Sequence, residues 1–366
     1  MQKETMKPTK RKRKLIDQKQ VSLKSKNSRH HETKYLKGKP AGQSVPSKFF
    51  GKHETQVSEH GEVNLHKHVI SCKKNPGHTK FIPIESFCLN HLPKYYRDAE
   101  LYDLIKVVAE LAVRVEVKVT SPRRVEFWPD SDAPYPFYNS VSTKSSRYGS
   151  GELMNVIKWA EGAGYDVIGD RYESDSMDCP CCKCQDCGQP SRVWWEFTVL
   201  TATHVVFDDV EADQTVCRLF YDTQSSPGTI LDHGRIYRSS IREDVCVLSF
   251  TTCDNHDLGN LLFGNVENWF KLWQKLQEKF ERSRFTFIVS HPHGCPKQVS
   301  FGQWVHNYVV DRSSDQRDMS KLTYTTCTCP GSSGAGVFCV GFGEHVHSGS
   351  FDTKLNVSGF GFSNWN

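Results

Sequence analysis

Apolar residues follow two different spacings in the stretch that begins near Phe81. Between Asp98 and about Glu110 they lie three or four positions apart, which predicts a helix. From Val113 to Val119 every second residue is valine and the residues between are charged, which predicts a strand with one buried and one solvated face. The period therefore changes from helix to strand within a few residues.

Downstream of this strand the apolar runs are short and are separated by Gly, Pro and Asp, which predicts β-structure. The expected strands are Glu152–Trp159, Val193–Thr201, Val216–Tyr221, Val245–Phe250, Phe285–Ser290 and Val337–Val340. One helix interrupts them near residues 265–282, where apolar side chains occupy one helical face and mostly polar ones the other. Many short strands with turns predict a mainly β fold, either a sandwich or a barrel.

Residues 1–80 show no sustained apolar period and are rich in Lys, Ser, Gln and His, so we expect a disordered arm. The arm holds 20 Lys and Arg against 6 Asp and Glu, a net charge of +14, whereas the remaining 286 residues hold 27 against 36, a net −9. The run Lys10–Lys14 is typical of a nuclear import signal or a nucleic-acid patch, and equally of a solvated charge run. The candidate partners of the arm are therefore an import receptor or nucleic acid.

The chain lacks a run of the roughly 18 apolar residues that a membrane span needs. Its basic start is not followed by the apolar core of a secretory signal. We therefore expect an intracellular protein, cytoplasmic or nuclear, that makes no membrane contact. In such a compartment the 14 cysteines are expected to be reduced thiols or metal ligands.

Three separated segments carry the residue types that peptide hydrolysis by a serine needs: a hydroxyl on a tight turn, an imidazole, and a carboxylate that orients the imidazole. Ser333 lies in C-P-G-S-S-G-A, His204 in L-T-A-T-H-V-V, and Asp244 opens D-V-C-V-L. Each segment alone is a weak pattern, because turn serines, structural histidines and turn aspartates are common. Their order His, Asp, Ser, with separations of 40 and 89 residues, makes the joint pattern much more specific.

Together, T-A-x-H, D-V-x-V-L and G-x-S-G-A resemble the triad motifs of the chymotrypsin-like (trypsin-like, PA-clan) serine peptidases. Residues 287–302 are similar to the HP-x-G…K…S-x-G stretch that begins the second barrel in glutamyl endopeptidases and related intracellular members. Residues 147–151 resemble the G-S/T-G turn of the first barrel. The resemblance implies a double β-barrel over 147–366 with the helix near 265–282 joining the barrels, preceded by a helix–strand extension over 81–146 and the arm over 1–80.

The resemblance also implies a serine endopeptidase that acts on protein or peptide substrates and needs no cofactor for catalysis. Ser333 would attack the scissile carbonyl, His204 would transfer the proton, and Asp244 would stay ionised and orient His204. The N–H groups of Gly331 and Ser333 would form the oxyanion hole.

Two positions depart from the family pattern. Ser332 stands where the family has an Asp, which in secreted members binds the N-terminus released by activation, and Ala335 replaces a Gly. The first departure is expected of a member that is active without cleavage, or of a decayed enzyme. A catalytically inactive module of the same fold that binds peptides or proteins therefore remains an alternative.

One histidine resembles the residue with which viral processing proteases of this clan and glutamyl endopeptidases bind a Glu or Gln side chain. It is His347, 14 residues after Ser333, with His345 as the second choice. A surface histidine in a polar hairpin is an equally good interpretation. Cys327 stands six positions before Ser333, where Lys/Arg-specific members carry an acid, so that specificity is disfavoured.

Five cysteines lie within nine residues, in three overlapping C-x-x-C pairs: Cys179, Cys181, Cys182, Cys184 and Cys187. This is the ligand spacing of structural zinc sites, although no second C-x-x-C pair occurs elsewhere. Structural zinc, free thiols or a disulfide, and redox sensing remain open. With the basic arm, the cluster also suggests a zinc-dependent nucleic-acid-binding protein, which the acidic balance of residues 81–366 disfavours.

Overall fold

The computed structural model describes residues 51–59, 61–140, 145–174, 176–312 and 317–364. The strands in these ranges are β1 (Lys52–His53), β2 (Gln56–Ser58), β3 (Ile82–Pro83), β4 (Ala112–Val117), β5 (Ser146–Ala160), β6 (Ala163–Tyr165), β7 (Arg171–Glu173), β8 (Val193–Thr201), β9 (Thr215–Leu219), β10 (Thr229–Leu231), β11 (Arg235–Ser240), β12 (Val245–Thr252), β13 (Phe285–Ser290), β14 (Gln298–Arg312), β15 (Arg317–Tyr324), β16 (Gly336–Cys339), β17 (Gly343–Ser350) and β18 (Asn356–Asn364). The α-helices are α1 (Leu65–Ile70), α2 (Ala99–Leu111), α3 (Cys182–Asp186), α4 (Asp209–Asp213) and α5 (His256–Lys279).

The first barrel is an antiparallel sheet in the order β10-β9-β4-β5-β8-β12-β11, with β2 added beside β5. Alternate residues of these strands face one apolar core, which includes Val115, Phe197 and Leu248. The three valines that β4 contributes at every second position are fully buried, as their spacing predicted. Sequence alternation therefore identifies the face of β4 that the core covers. The prediction that the opposite face is solvated is wrong, because other parts of the chain cover it: Arg114 is 2% exposed and Glu116 is half-buried.

The second barrel is closed, because its order β17-β16-β13-β14-β15-β18 returns through a pairing of β18 with β17. Its interior is filled by side chains that include Ile288, Tyr324 and Val337. The predicted mainly β fold with two barrels is confirmed. The predicted strands Val193–Thr201 and Phe285–Ser290 have the same bounds as β8 and β13.

Two helices connect and cover the barrels. Helix α2 begins where the sequence predicted, because the Asp98 carboxylate accepts the N–H groups of Glu100 and Leu101, each at 3.1 Å. Helix α5 links β12 to β13, as predicted, but starts at His256 rather than near residue 265. Helix α2 and the C-terminal half of α5 pack mainly against the second barrel. The N-terminal half of α5 packs against the core of the first barrel through Leu258, Leu262 and Val266.

The structure differs from the expected N-terminal organisation. Strand β4 lies between β9 and β5, so it is an internal strand of the first barrel and not part of an extension packed against it. Strands β1 and β2 fall within the expected disordered arm, yet they pair with β17 and β5. In β2, Gln56 and Ser58 are buried although they are polar, and Gln56 bonds to His293, far along the chain, which a local apolar period does not reveal. The basic run Lys10–Lys14 lies outside the described residues.

Among the described residues, we find no helix that combines the length and the apolar character needed to cross a membrane.

Candidate active site

His204, Asp244 and Ser333 meet between the two barrels. The His204 Nδ1 atom lies 2.9 and 2.8 Å from the two carboxylate oxygens of Asp244, and its Nε2 atom lies 2.8 Å from Ser333 Oγ. All three residues are fully buried. The arrangement is an unbroken chain of hydrogen bonds from a carboxylate through an imidazole to a hydroxyl.

Strand pairing explains this convergence. His204 follows β8 and Asp244 precedes β12, and these two antiparallel strands pair with Thr201 opposite Cys246. Antiparallel pairing places the end of one strand beside the start of the other, so the histidine and the acid are neighbours. Ser333 belongs to the second barrel, on the loop between β15 and β16.

The Asp244 carboxyl group is ionised in this position. Burial by itself would raise the pKa of Asp244, but the charge and hydrogen bonds of His204, together with the Ser348 hydroxyl, hold that pKa below its usual value. The backbone N–H of His204 also donates to Asp244 Oδ1 at 3.1 Å. The carboxylate is thereby held against the Nδ1 side of the ring.

The loop that carries Ser333 contains two glycines with unusual backbone angles, one on each side of the serine. Gly331 and Gly334 have φ values of 99° and 91°, which residues with a Cβ rarely adopt. The Ser150 hydroxyl donates to the Gly331 carbonyl at 2.8 Å and accepts the His291 N–H at 2.9 Å, which ties the loop to the first barrel. The Ser332 hydroxyl accepts the Cys329 N–H at 3.2 Å.

The predicted oxyanion hole faces a carbonyl of the chain itself. The Glu54 carbonyl accepts the N–H of Gly331 at 2.6 Å and the N–H of Ser333 at 3.2 Å. The Glu54 N–H donates to Ser333 Oγ at 3.0 Å. A main-chain segment from the N-terminal part of the chain therefore occupies the position in front of Ser333.

The side chain of Glu54 lies in a pocket lined by His347. Its Oε2 atom is 2.8 Å from His347 Nε2, and the other ring nitrogen of His347 bonds to the Tyr324 hydroxyl. Lys74 also bonds to the carboxylate, and Ser350 Oγ lies 3.3 Å from Oε1. Burial would raise the pKa of Glu54, but His347 and then Lys74 lower it to about 2. Glu54 is therefore a carboxylate at neutral pH.

Lys74 reaches the pocket from a loop within residues 1–80, the segment that was expected to be disordered. Its Nζ atom donates to Thr328 Oγ1 at 2.9 Å and to Asn356 Oδ1 at 2.8 Å. Neither Lys74 nor Glu54 stands in a recognisable motif, and one lysine among many in a basic stretch carries no distinguishing pattern. Only the folded chain brings them to the site.

The second pocket candidate, His345, lies elsewhere. Its Nε2 atom is 2.9 Å from the Ser320 hydroxyl, and the ring is buried inside the second barrel. Burial lowers the pKa of His345 to about 3, so the ring is neutral. His345 and His347 are alternate residues of β17, so they face the same side of the strand, and both are buried, but they contact different partners.

Three of the five clustered cysteines form a tetrad with a fourth cysteine that the sequence did not suggest as a ligand. The Sγ atoms of Cys179, Cys181 and Cys184 meet that of Cys253, which follows β12, and all four lie within 4.8 Å of one another. The remaining two candidates, Cys182 and Cys187, are exposed and lie outside this tetrad. The α3 helical turn directs them to solvent, and a lone cysteine such as Cys253 carries no spacing pattern.

A buried ion-pair network contacts the main chain at His204. The Glu211 carboxylate contacts Arg124 at 2.8 and 2.7 Å and Arg147 at 2.9 Å, and all three side chains are at most 2% exposed. Arg124 also donates to the His204 carbonyl at 3.1 Å. Burial would raise the pKa of Glu211, but the two arginines hold it below its usual value.

Residues 191–344 match a family model described as Trypsin-like peptidase domain. That span includes His204, Asp244 and Ser333 but ends before His347. The chain has a trypsin-like double β-barrel fold. No curated protein matches it.

Solved structures with some likeness include two peptidases. The HtrA-type protease AlgW with a decapeptide has 15% identity and a TM-score of 0.35, over 74% of this chain and 64% of that one. The Rv3671c protease from M. tuberculosis in its active form has 9% identity and a TM-score of 0.35, over 73% and 82%. This chain thus spans less than two thirds of the AlgW chain.

Proposed function

We propose that this protein is a serine endopeptidase that cleaves on the carboxyl side of glutamate. The observation that carries the proposal is the 2.8 Å contact between His204 Nε2 and Ser333 Oγ, with Asp244 bonded to the other ring nitrogen. In the proposed reaction, His204 takes the proton of Ser333 as its oxygen attacks the carbonyl carbon, and later returns that proton to the leaving amine. The ionised Asp244 keeps the Nε2 lone pair directed at Ser333.

The N–H groups of Gly331 and Ser333 would stabilise the oxyanion that forms during the attack. Both already donate to a carbonyl oxygen in front of Ser333. Such a donor contributes about 3 kcal/mol to lowering the barrier. Ser150 is a positioning residue here, because its hydroxyl bonds to the carbonyl of Gly331, the residue that also supplies one of the two N–H donors.

Glutamate selectivity would come from His347 and Lys74. The Tyr324 hydroxyl can donate to Nδ1 of a neutral His347, which leaves the hydrogen on Nε2 directed at the substrate carboxylate. This bond alone would serve glutamine as well. Lys74 adds a positive charge in a water-poor pocket, where the energy difference between an ionised and a neutral side chain is large. The pair therefore favours Glu over Gln.

We expect Lys74→Met to reduce the preference for Glu over Gln peptides by about tenfold or more, because it removes a charge-assisted hydrogen bond from the pocket. The measurement is kcat/KM for two peptides that differ only in this residue. Lys73→Met is the matched control, since Lys73 is the neighbouring lysine and is exposed. An unchanged preference in Lys74→Met would contradict the assigned role.

A serine-directed fluorophosphonate probe tests the proposed chemistry, because it labels an activated hydroxyl. It is applied to the wild-type chain and to Glu54→Ala, whose shortened side chain no longer fills the pocket. Labelling of either protein supports the proposal. A site that stays unlabelled in both would indicate a peptide-binding module of the same fold.

We also propose that Cys179, Cys181, Cys184 and Cys253 bind a structural zinc ion. The Cys253 Sγ atom lies 3.7 Å from that of Cys181 and 3.4 Å from that of Cys184, near the edge of about 3.8 Å expected for a tetrahedral zinc–sulfur site. The Ser191 N–H donates to Cys184 Sγ at 3.3 Å. The ion would fasten the loop before β8 to the end of β12.

A further inference from the structure

The segment Lys52–Ser58 runs through the candidate active site from one barrel to the other. Before Glu54, it pairs antiparallel with β17, where Lys52 lies opposite Ser350 and His53 opposite Gly349. After Glu54, it pairs antiparallel with β5 over Gln56–Ser58. An extended peptide that adds a strand on both sides of a cleft is bound as a protease binds a substrate.

The register of this segment places one peptide bond at the reacting groups. The Glu54 carbonyl oxygen accepts from both N–H donors of the predicted oxyanion hole, at 2.6 and 3.2 Å, and its own N–H lies 3.0 Å from Ser333 Oγ. The carbonyl carbon between these two groups is therefore held against the hydroxyl. The His53 ring covers His204, with the ring centroids 5.8 Å apart.

The Glu54 side chain is also in the place that a selective substrate would fill. It is 3% exposed and bonds to His347 and Lys74, the residues to which we attribute glutamate selectivity, and to Ser350. Thr55, on the other side of the bond, is 6% exposed. Main-chain register and side-chain chemistry therefore select the same bond, independently of each other.

We propose that the protein cleaves its own chain between Glu54 and Thr55. Ser333 Oγ attacks the Glu54 carbonyl carbon and loses its proton to His204, the bond to the Thr55 nitrogen breaks, and that nitrogen takes the proton. A water molecule then hydrolyses the Glu54 ester, so one water is consumed for one carboxylate and one amine. The inference rests on the proposed function and identifies the first substrate of the same site.

Cleavage would open the cleft to other substrates and would divide the chain into two fragments of opposite net charge. Until it occurs, Lys52–Thr55 blocks the cleft. The sequence favoured a chain that is active without cleavage, whereas the blocked cleft favours a chain that cleavage activates. Residues 1–54 hold 16 Lys and Arg against 4 Asp and Glu, a net +12, and residues 55–366 hold 31 against 38, a net −7. The cut therefore separates a basic arm from an acidic body that keeps β2.

The test is mass spectrometry of the purified full-length chain after timed incubation. We expect the wild type to give fragments that end at Glu54 and begin at Thr55, at a rate independent of protein concentration, whereas Ser333→Ala stays intact. Glu54→Gln should slow the cut by about tenfold or more, because the carboxylate loses its charge-assisted bonds. Glu59→Gln is the matched control, since Glu59 is exposed directly after the segment Lys52–Ser58.

Two outcomes separate this inference from the proposed function. If Glu54→Ala hydrolyses a separate Glu peptide and takes the fluorophosphonate label while the wild type stays uncut, self-cleavage is overturned and the peptidase stands. If neither protein is labelled and neither cuts any peptide, both proposals fail. A cut in Ser333→Ala at the wild-type rate would also overturn the inference, because a contaminating protease would explain it.

A separate observation concerns Cys72, His78, His293 and Cys329, whose ligand atoms all lie within 4.8 Å of one another. The two Sγ atoms are 3.6 Å apart, and Cys329 Sγ lies 3.7 Å from His78 Nε2. A zinc ion bound at about 2.3 Å by sulfur and 2.0 Å by nitrogen requires such separations.

The surroundings of this tetrad suit a metal. His293 is buried, and its Nδ1 lies 2.9 Å from the Gln56 side-chain oxygen, so Nδ1 donates and Nε2 keeps a lone pair. That Nε2 atom has no hydrogen-bond partner among the described residues. Asn75 donates its backbone N–H to Cys72 Sγ at 3.4 Å and its side-chain N–H to Cys329 Sγ at 3.2 Å. Such donors stabilise thiolates.

The geometry points to a second zinc site formed by Cys72, His78, His293 and Cys329. The ion would join the loop that contains Cys72 and His78 to the second barrel, which contributes His293 and Cys329. Cys72 is two residues before Lys74, and Cys329 is two residues before Gly331. The ion would therefore hold both the selectivity lysine and the oxyanion loop without taking part in the hydrolysis.

Metal analysis of the full chain tests this site. We expect two zinc ions per wild-type chain, one for each tetrad. Cys72→Ser and the milder His78→Gln should each lose one ion and reduce the preference for Glu over Gln peptides. Cys253→Ser should lose one ion and keep the preference, and the exposed Cys88→Ser should keep both. Two bound ions in both Cys72→Ser and His78→Gln would overturn the second site, as would a wild-type chain without zinc.

Discussion

Replacing Ser333 with alanine will lower kcat/KM for a Glu-containing peptide by about 10,000-fold or more, to the level left by binding and the oxyanion donors alone. The reason is that Ser333 Oγ is the atom that His204 Nε2 contacts, and both N–H donors face the carbonyl oxygen that lies in front of Ser333. Asp244→Asn should cause a loss of similar size, because the amide no longer selects the ring tautomer that leaves Nε2 free to accept a proton.

The measurement is the initial rate of peptide hydrolysis by chains that begin at Thr55, so that the segment in front of Ser333 is absent from the wild type and the variants alike. Ser225→Ala serves as the control, since Ser225 is exposed in the loop between β9 and β10 and its hydroxyl bonds to Thr223. Circular dichroism and unfolding curves of the variants show whether the fold is retained. Substantial hydrolysis by a folded Ser333→Ala protein would mean that another group is the nucleophile.

Replacing Glu211 with alanine will lower the free energy of unfolding by about 3–5 kcal/mol, because it leaves two buried arginines without their counter-charge. Arg124 and Arg147 are at most 2% exposed and both contact this carboxylate. Since the pKa of Glu211 is depressed in the folded chain, its contribution is fully present above the usual carboxyl pKa and is lost as the pH falls through the depressed value.

Urea unfolding of the wild type and the variant at neutral pH measures this effect. Glu267→Ala is the matched control, because Glu267 forms an exposed pair with Lys271 on α5, and such pairs contribute at most about 1 kcal/mol. Glu211→Ala should also weaken catalysis, since Arg124 holds the His204 carbonyl. Equal losses of stability in the two variants would contradict the assigned role of the buried network.

Local pattern was enough for the elements whose residues face a core. The alternation of valines predicted β4, the helical spacing predicted α2, and two predicted strands have the observed bounds of β8 and β13. The short N-terminal strands β1 and β2 show no such pattern, because they are mostly polar and are formed by pairing with β17 and β5, which lie far along the chain. The domain boundary expected at residue 80 failed for the same reason.

The three residues proposed for catalysis follow from three local motifs that are weak alone and specific only in their joint order, which resembles the triad of trypsin-like peptidases. Which groups surround them was decided by the tertiary structure alone. Glu54, Lys74 and Cys253 come from segments whose composition is ordinary, and they acquire partners only when both barrels close around the cleft. Periodicity reports which side of an element is buried, whereas contacts between distant polar residues depend on how the elements are arranged in space.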